Sequence, residues 1–301
     1  MSEGAIIAGN ERVDLKAVFS YLLMVFSASW SLIVIIYLLG GLRTMAALGL
    51  YGLMMMPAIS AFLVRKWITK EGFENSGLKI GRKKYYFIAW LLSLTVIYAT
   101  YGIIILAGFG KVYLTEQELV KRIEEIKKTH GIQSSISTPP HGMNLVVFLA
   151  LLAIGNITVF LIPATILGFG EEFGWRSYLL PKLLPLGRLK AFLIVGFIWW
   201  LWHLPLTLLT QPPAKSTIEI AVLSLLGLVS ATLMGIILAW LFYASESIFP
   251  AALAHATFNQ ANQALVIFVG FNPLAFDLVL TIILLLIVFI LHRQGYLEVV
   301  K

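Results

Sequence analysis

Glu171 and Glu172 stand side by side near the end of one of the most apolar runs in the chain, and Arg176 follows within one turn. Ionisable side chains in an apolar helix carry a large desolvation cost, so they mark either a working site or a paired structural cluster. On a helix Glu172 and Arg176 are i and i+4, lie on one face and can pair. Glu171 lies about 100° further around the helix, in the direction of Trp175. That spacing assigns Glu172 and Arg176 to support of the site and leaves Glu171 free to act as a general base. The plainer reading is a charge cluster at a helix end on the membrane surface. A lone Glu would fit it; an adjacent pair with an i+4 arginine points to function.

Two further stretches carry chemistry. His203 is the one ionisable residue between Lys190 and Lys215, and Trp199, Trp200 and Trp202 crowd around it. These tryptophans lie deeper in their span than an interfacial belt would, which suits packing around a buried polar site. A histidine satisfied by a carbonyl that Pro205 releases is the plainer reading. His255 and Asn259 are also i and i+4 and stack on one face, with Asn262 and Gln263 extending the stripe. Ala251, Ala252, Ala254 and Ala256 would let a neighbouring helix approach closely, and helix–helix hydrogen bonding is the plainer reading of the carboxamides.

Together these positions offer a carboxylate, two imidazoles and a carboxamide. The set suits water activation by Glu171 and His203, with His255 and Asn259 donating to an oxyanion. Glu171, His203 and His255 are also the residue types of a zinc site, and spacing alone does not choose between the two. The His-Glu-x-x-His pattern of a zinc helix is absent. No cysteine is present, so neither a thiolate nucleophile nor a disulfide enters. Trp175, Trp199, Trp202, Asn262 and Gln263 are the candidate lining of a substrate cavity.

The elements that must position these residues are membrane helices. Of 301 residues 59% are hydrophobic and 12% charged, where a soluble domain has about 25% charged. Uncharged runs predict eight spans, within 17–42, 44–64, 85–110, from near Asn144 to the glutamate pair, 191–209, 220–243, about 249–269 and about 273–291. The expected fold is an all-α polytopic membrane bundle of about eight transmembrane helices. It forms one integral-membrane domain over residues 1–301, with residues 168–263 as its motif-bearing core. Residues 1–16 lack a signal-peptide core and read as a cytoplasmic tail. Between the third and fourth spans, the stretch from Thr115 to Lys128 carries a helix start signal and Gly131–Pro140 reads as loop. With the N-terminus inside, inner segments hold 15 Lys and Arg against 7 outside, which predicts both termini cytoplasmic and the glutamates at the inner surface. The net charge of +7 then reflects inner loops and not nucleic-acid binding. One geometric demand follows. His203 lies about 18 Å along its span and His255 about 7–8 Å along its own, so the former span must start lower or tilt.

Glu171-Glu172-x-x-x-Arg176, Trp199-x-x-x-His203 and His255-x-x-x-Asn259, in this order on three spans, resemble the motifs of the CAAX protease and bacteriocin-processing (CPBP) family, which includes the type II CAAX prenyl endopeptidases. The context is similar too: Trp175-Arg-Ser-Tyr-Leu-Leu-Pro181, His203-Leu-Pro205 and Ile248-Phe-Pro-Ala251. The resemblance implies an eight-helix intramembrane endopeptidase with a cavity open to the cytoplasmic leaflet. It makes Glu171 the general base and His203 the group that orients water. His255 and Asn259 become the oxyanion hole, supported by Glu172 and Arg176. It implies metal-independent glutamate chemistry, with zinc as the alternative cofactor. The partners it implies are membrane lipid and a peptide or membrane-anchored protein substrate, prenylated or not. A non-catalytic binding or bacteriocin-immunity protein on the same fold is the reading from another class, and the retained Glu, His, His and Asn speak against it. Trp199 stands where the family motif usually has Phe, which is expected to alter cavity shape more than chemistry.

Overall fold

The computed structural model describes residues 12–41, 48–130, 139–140, 142–210 and 216–299. Most of the expected cytoplasmic tail and of the 131–140 loop therefore lies outside the described residues. Helices dominate: α1 (Leu15–Leu38), α2 (Gly49–Leu63), α3 (Lys84–Leu106), α4 (Glu116–His130), α5 (Leu145–Asn156), α6 (Leu161–Glu172), α7 (Leu180–Leu183), α8 (Arg188–Thr210), α9 (Thr217–Ser245), α10 (Ile248–Leu265) and α11 (Pro273–Arg293). Two of them run on into wider π-helical turns, Val64–Thr69 after α2 and Phe173–Leu179 after α6.

Several helices start behind a polar side chain that caps their first turn. Asp14 accepts from the Ala17 amide at 2.9 Å, and Asn144, Ser247 and Asn272 cap α5, α10 and α11 in the same way. Ser216 and Glu219 form a reciprocal capping box on α9, as Thr115 and Glu118 do on α4. Such caps satisfy amides that the first turn leaves without partners.

Five described helices, α1, α3, α8, α9 and α11, are long and apolar enough to cross a membrane, and a sixth span results if α5 and α6 count as one. The fourth span is thus not the single helix that hydropathy suggests. It is broken between Asn156 and Leu161 and bent by 46°. Gly155 ends α5: its carbonyl takes the amides of Thr158 and Phe160, and a methyl on it would sit 2.8 Å from the Phe160 ring. The Trp90 indole donates to the Ile157 carbonyl in the break at 3.0 Å. The seventh span is also shorter than expected. It ends at Leu265, and Val269–Phe271 (β2) pairs antiparallel with Gly110–Val112 (β1). This clasp ties the end of α3 to the start of α11. Beside it α4 packs Leu119 and Ile123 on Leu145 and Leu149 of α5 as a second, small core.

In the main core α6 lies against α10 on one side and α2 on the other, α3 covers the far side of α10, and α8 and α11 both pack on α9.

Candidate active site

The glutamates are placed by glycines. A methyl on Gly168 would come within 2.6 Å of the Ala252 carbonyl oxygen, one on Gly170 within 2.4 Å of the Met54 carbonyl oxygen, and one on Gly174 within 2.4 Å of Pro57. No side chain fits at such distances, so these three positions let α6 and the turn after it sit directly on the backbones of α10 and α2. The alanines expected to allow close approach are the partner surface: Ala251, Ala252, Ala254 and Ala256 are all buried. Glu171 and Glu172 end up 2% and 0% exposed.

The two carboxylates face different neighbours. Glu172 Oε1 accepts from Arg176 Nη1 at 3.0 Å and from His255 Nδ1 at 2.8 Å. The first contact is the i, i+4 pair expected from spacing; the second joins α6 to α10. The guanidinium of Arg176 also lies over the Trp199 ring, 4.2 Å from its centroid. Because a carboxylate only accepts, His255 carries its proton on Nδ1 and leaves Nε2 on its other edge.

Glu171 Oε2 accepts the indole N–H of Trp199 at 2.7 Å, and His203 Nε2 lies 3.9 Å from the same oxygen. His203 Nδ1 is 3.0 Å from the Trp199 carbonyl. That carbonyl can only accept, so Nδ1 is the protonated nitrogen and Nε2 is turned toward Glu171. The backbone reading of this histidine is therefore half right. Its carbonyl partner is four residues back on its own helix, and not the Leu201 group that Pro205 would release. Trp199 departs from the expectation as well: its N–H gives Glu171 a hydrogen bond that a phenyl ring lacks, so it alters chemistry as well as shape.

Glu171, Trp199, Trp202, His203, His255 and Asn259 share one cavity of about 410 Å³, whose remaining walls are mostly apolar residues of α2, α8, α9, α10 and α11. All four candidate catalytic side chains therefore meet, although His203 is about 22 Å along α8 and His255 about 10 Å along α10. Three expected lining residues do not. Trp175 is buried behind the cavity, edge-on to Tyr21 and Trp202 with ring centroids 5.8 Å away in each case. Asn262 accepts from the Tyr101 hydroxyl at 2.9 Å, because α3 covers that face of α10. Gln263 is exposed. The plainer reading, helix–helix bonding, is the correct one for Asn262. Glu172 and Arg176 sit behind the lining as support. A zinc ion would recruit Glu171, His203 and His255, but no group of three such ligands among the described residues is placed to share a metal.

Residues 143–261 match the family model of the Rce1-like type II CAAX prenyl endopeptidases. The matched segment contains all three motifs and every residue that meets in the cavity except those of α2 and α11. No curated protein matches the chain.

Proposed function

We propose, from the match of residues 143–261 to the family model of the Rce1-like type II CAAX prenyl endopeptidases and from the helices long and apolar enough to cross a membrane, that this chain is a glutamate-type intramembrane endopeptidase. It hydrolyses a peptide bond in a membrane-associated substrate, a prenylated CAAX-type tail being the first candidate. The observation that carries this reading is the approach of Glu171 and His203 to 3.9 Å in a shared cavity with His255 and Asn259. One water can bond to both groups at about 2.8 Å each across such a gap.

In this mechanism Glu171 takes a proton from water while His203 Nε2 holds the other hydrogen. The water oxygen adds to the scissile carbonyl carbon. The oxyanion is met by the Asn259 carboxamide and by His255 Nε2–H. For that second donor His255 carries both ring protons, and Glu172 holds the Nδ1 proton. Two carboxylates then balance one guanidinium and one imidazolium, so the buried cluster is neutral as a whole. Each oxyanion donor contributes about 2.7–4 kcal/mol in enzymes of this logic. The protonated Glu171 finally passes its proton to the leaving amine as the C–N bond breaks. No step runs through a metal.

The excess of Lys and Arg in the expected inner segments supports an orientation with the glutamates toward the cytoplasmic side and both chain termini inside. The test is cleavage of a farnesylated CAAX-type peptide by purified, detergent-solubilised protein, beside the same peptide without the farnesyl group. Site-specific cleavage that survives a zinc chelator is the expected result. Loss of cleavage in chelator with recovery on added zinc sinks the metal-independent mechanism, and cleavage of neither peptide sinks the substrate class.

A further inference from the structure

Among the described residues two arginines are buried, Arg176 at 1% exposure and Arg65 at 5%. Arg65 belongs to the π-helical extension of α2, outside the family-matched segment and away from the cavity. Its Nη2 donates to the carbonyl of Ser177 at 2.9 Å, across 112 residues of sequence. Its Nη1 donates to the carbonyl of Gly72 at 3.0 Å and lies 3.4 Å from Glu71 Oε1. The guanidinium covers the Tyr178 ring at 5.2 Å. Glu71 in turn pairs with Lys182, and Ser177 Oγ donates to the Ser76 carbonyl at 2.7 Å. The extension of α2, the segment 71–77 and the turn after the glutamates are thus bound together through one fork of donors.

The position of that fork has a cause in the sequence. After Glu172 the helix widens, and Leu180 bonds back five residues to Trp175. Pro181 comes next and has no N–H. It cannot bond to Ser177, four residues before it, and Arg65 supplies a donor to that carbonyl. An apolar interior makes a carbonyl without a donor costly. Yet a buried arginine is a poor device for stability alone, since apolar replacements of buried ion pairs are often neutral or stabilising. What Arg65 fixes is the backbone next to Arg176. Arg176 has little room to adjust: a methyl on Gly235 would lie 3.0 Å from its Nη2, and its face rests on Trp199.

We propose that Arg65 is a positioning residue of the active site. It holds the π-helical turn so that Arg176 meets both Glu172 and Trp199, and through them sets His255 and Glu171. This rests on the peptidase reading of the cavity. It brings into the catalytic apparatus a residue that lies outside the matched segment and touches none of the reacting groups.

The experiment compares wild type with R65Q, R65K, P181A and R65Q/P181A, using the farnesylated peptide for kinetics, hydrogen exchange across 173–183 and thermal melting. A displaced catalytic geometry of about 1 Å costs on the order of a hundredfold. R65Q is therefore expected to lose about 10–100-fold in kcat with KM within about twofold, and to exchange faster across 173–183. Lysine donates but cannot fork, so R65K falls between the two. P181A restores an N–H to the turn, so R65Q/P181A recovers at least about fivefold in kcat over R65Q. R65Q with kcat within about twofold of wild type overturns the proposal. So does a loss of kcat with unchanged exchange at 173–183, or one that P181A does not relieve. If wild type cleaves nothing, the peptidase reading is what fails. The exchange data then decide the rest: unchanged protection in R65Q overturns the hold of Arg65 on the turn, and faster exchange relieved by P181A supports it.

Discussion

Glu171 and Glu172 share a residue type, a helix and almost the same burial, yet they live in different surroundings. Glu172 is enclosed by two nitrogen donors, Arg176 and His255, that share one of its oxygens. Among the described residues Glu171 has a single neutral donor, the Trp199 indole, and otherwise looks onto a cavity with His203 across it. The first environment holds a charge in place; the second leaves a carboxylate able to accept a proton. Rotation by one residue about a helix is enough to separate the two roles, provided that the backbone is held so closely that neither side chain can exchange places.

Mutations should separate the two glutamates. The largest effect on turnover is expected from E171Q: the amide oxygen still accepts from Trp199 and His255 can give up its second proton to keep the buried cluster neutral, so the protein stays folded, but kcat falls by about a thousandfold or more with loss of the proposed base. E172Q comes next and acts on the fold as well, because Arg176 and His255 lose their buried counter-charge at a cost of about 3–5 kcal/mol. Thermal melting checks this, and a melting temperature equal to that of E171Q would erase the distinction between the two glutamates. W199F removes one hydrogen bond, worth about 1 kcal/mol, and narrows the aromatic surface under Arg176, and should lower kcat about tenfold while the protein stays folded. The smallest effect belongs to a third acid, Glu246, half-buried at the turn after α9. Hydrogen bonds from Lys79 and Arg82 hold its carboxyl below the usual carboxylate range. A lowered folded-state value gives stability that is present above the ordinary carboxylate range, about pH 4.3, and is lost as pH falls through the lowered value. E246Q should therefore be less stable than wild type at pH 7 by under about 1 kcal/mol, with the gap closing in acid.

Much of this was legible in the chain. The polar caps before apolar runs, the i, i+4 pairing of Glu172 with Arg176 and the small face of α10 are local patterns, and local patterns survive folding. What escaped depends on partners distant in sequence. Hydropathy sees residues 145–172 as one apolar run because the Gly155 break carries no charge. The clasp of β1 and β2 is three residues long on each side, too short for any alternation to register. Asn262 continues the His255 stripe by spacing, but Tyr101 on α3 takes its carbonyl oxygen. Trp199 gives no sign in the sequence that its N–H, and not its ring alone, is the group that matters. Arg65 looks like one more basic residue of an inner loop until Pro181 and Ser177 are seen beside it.

The antiparallel clasp has a consequence for assembly. Gly110 pairs with Phe271 and Val112 with Val269, so the strands meet across about 160 residues, and closing a long loop is slow although its entropy grows only with the logarithm of length. During synthesis β1 emerges with all of α4 to α10 still to come. Its open edge waits until nearly the whole motif-bearing segment has been inserted. The clasp is therefore a late event in the life of the chain, a latch that closes on a bundle already built.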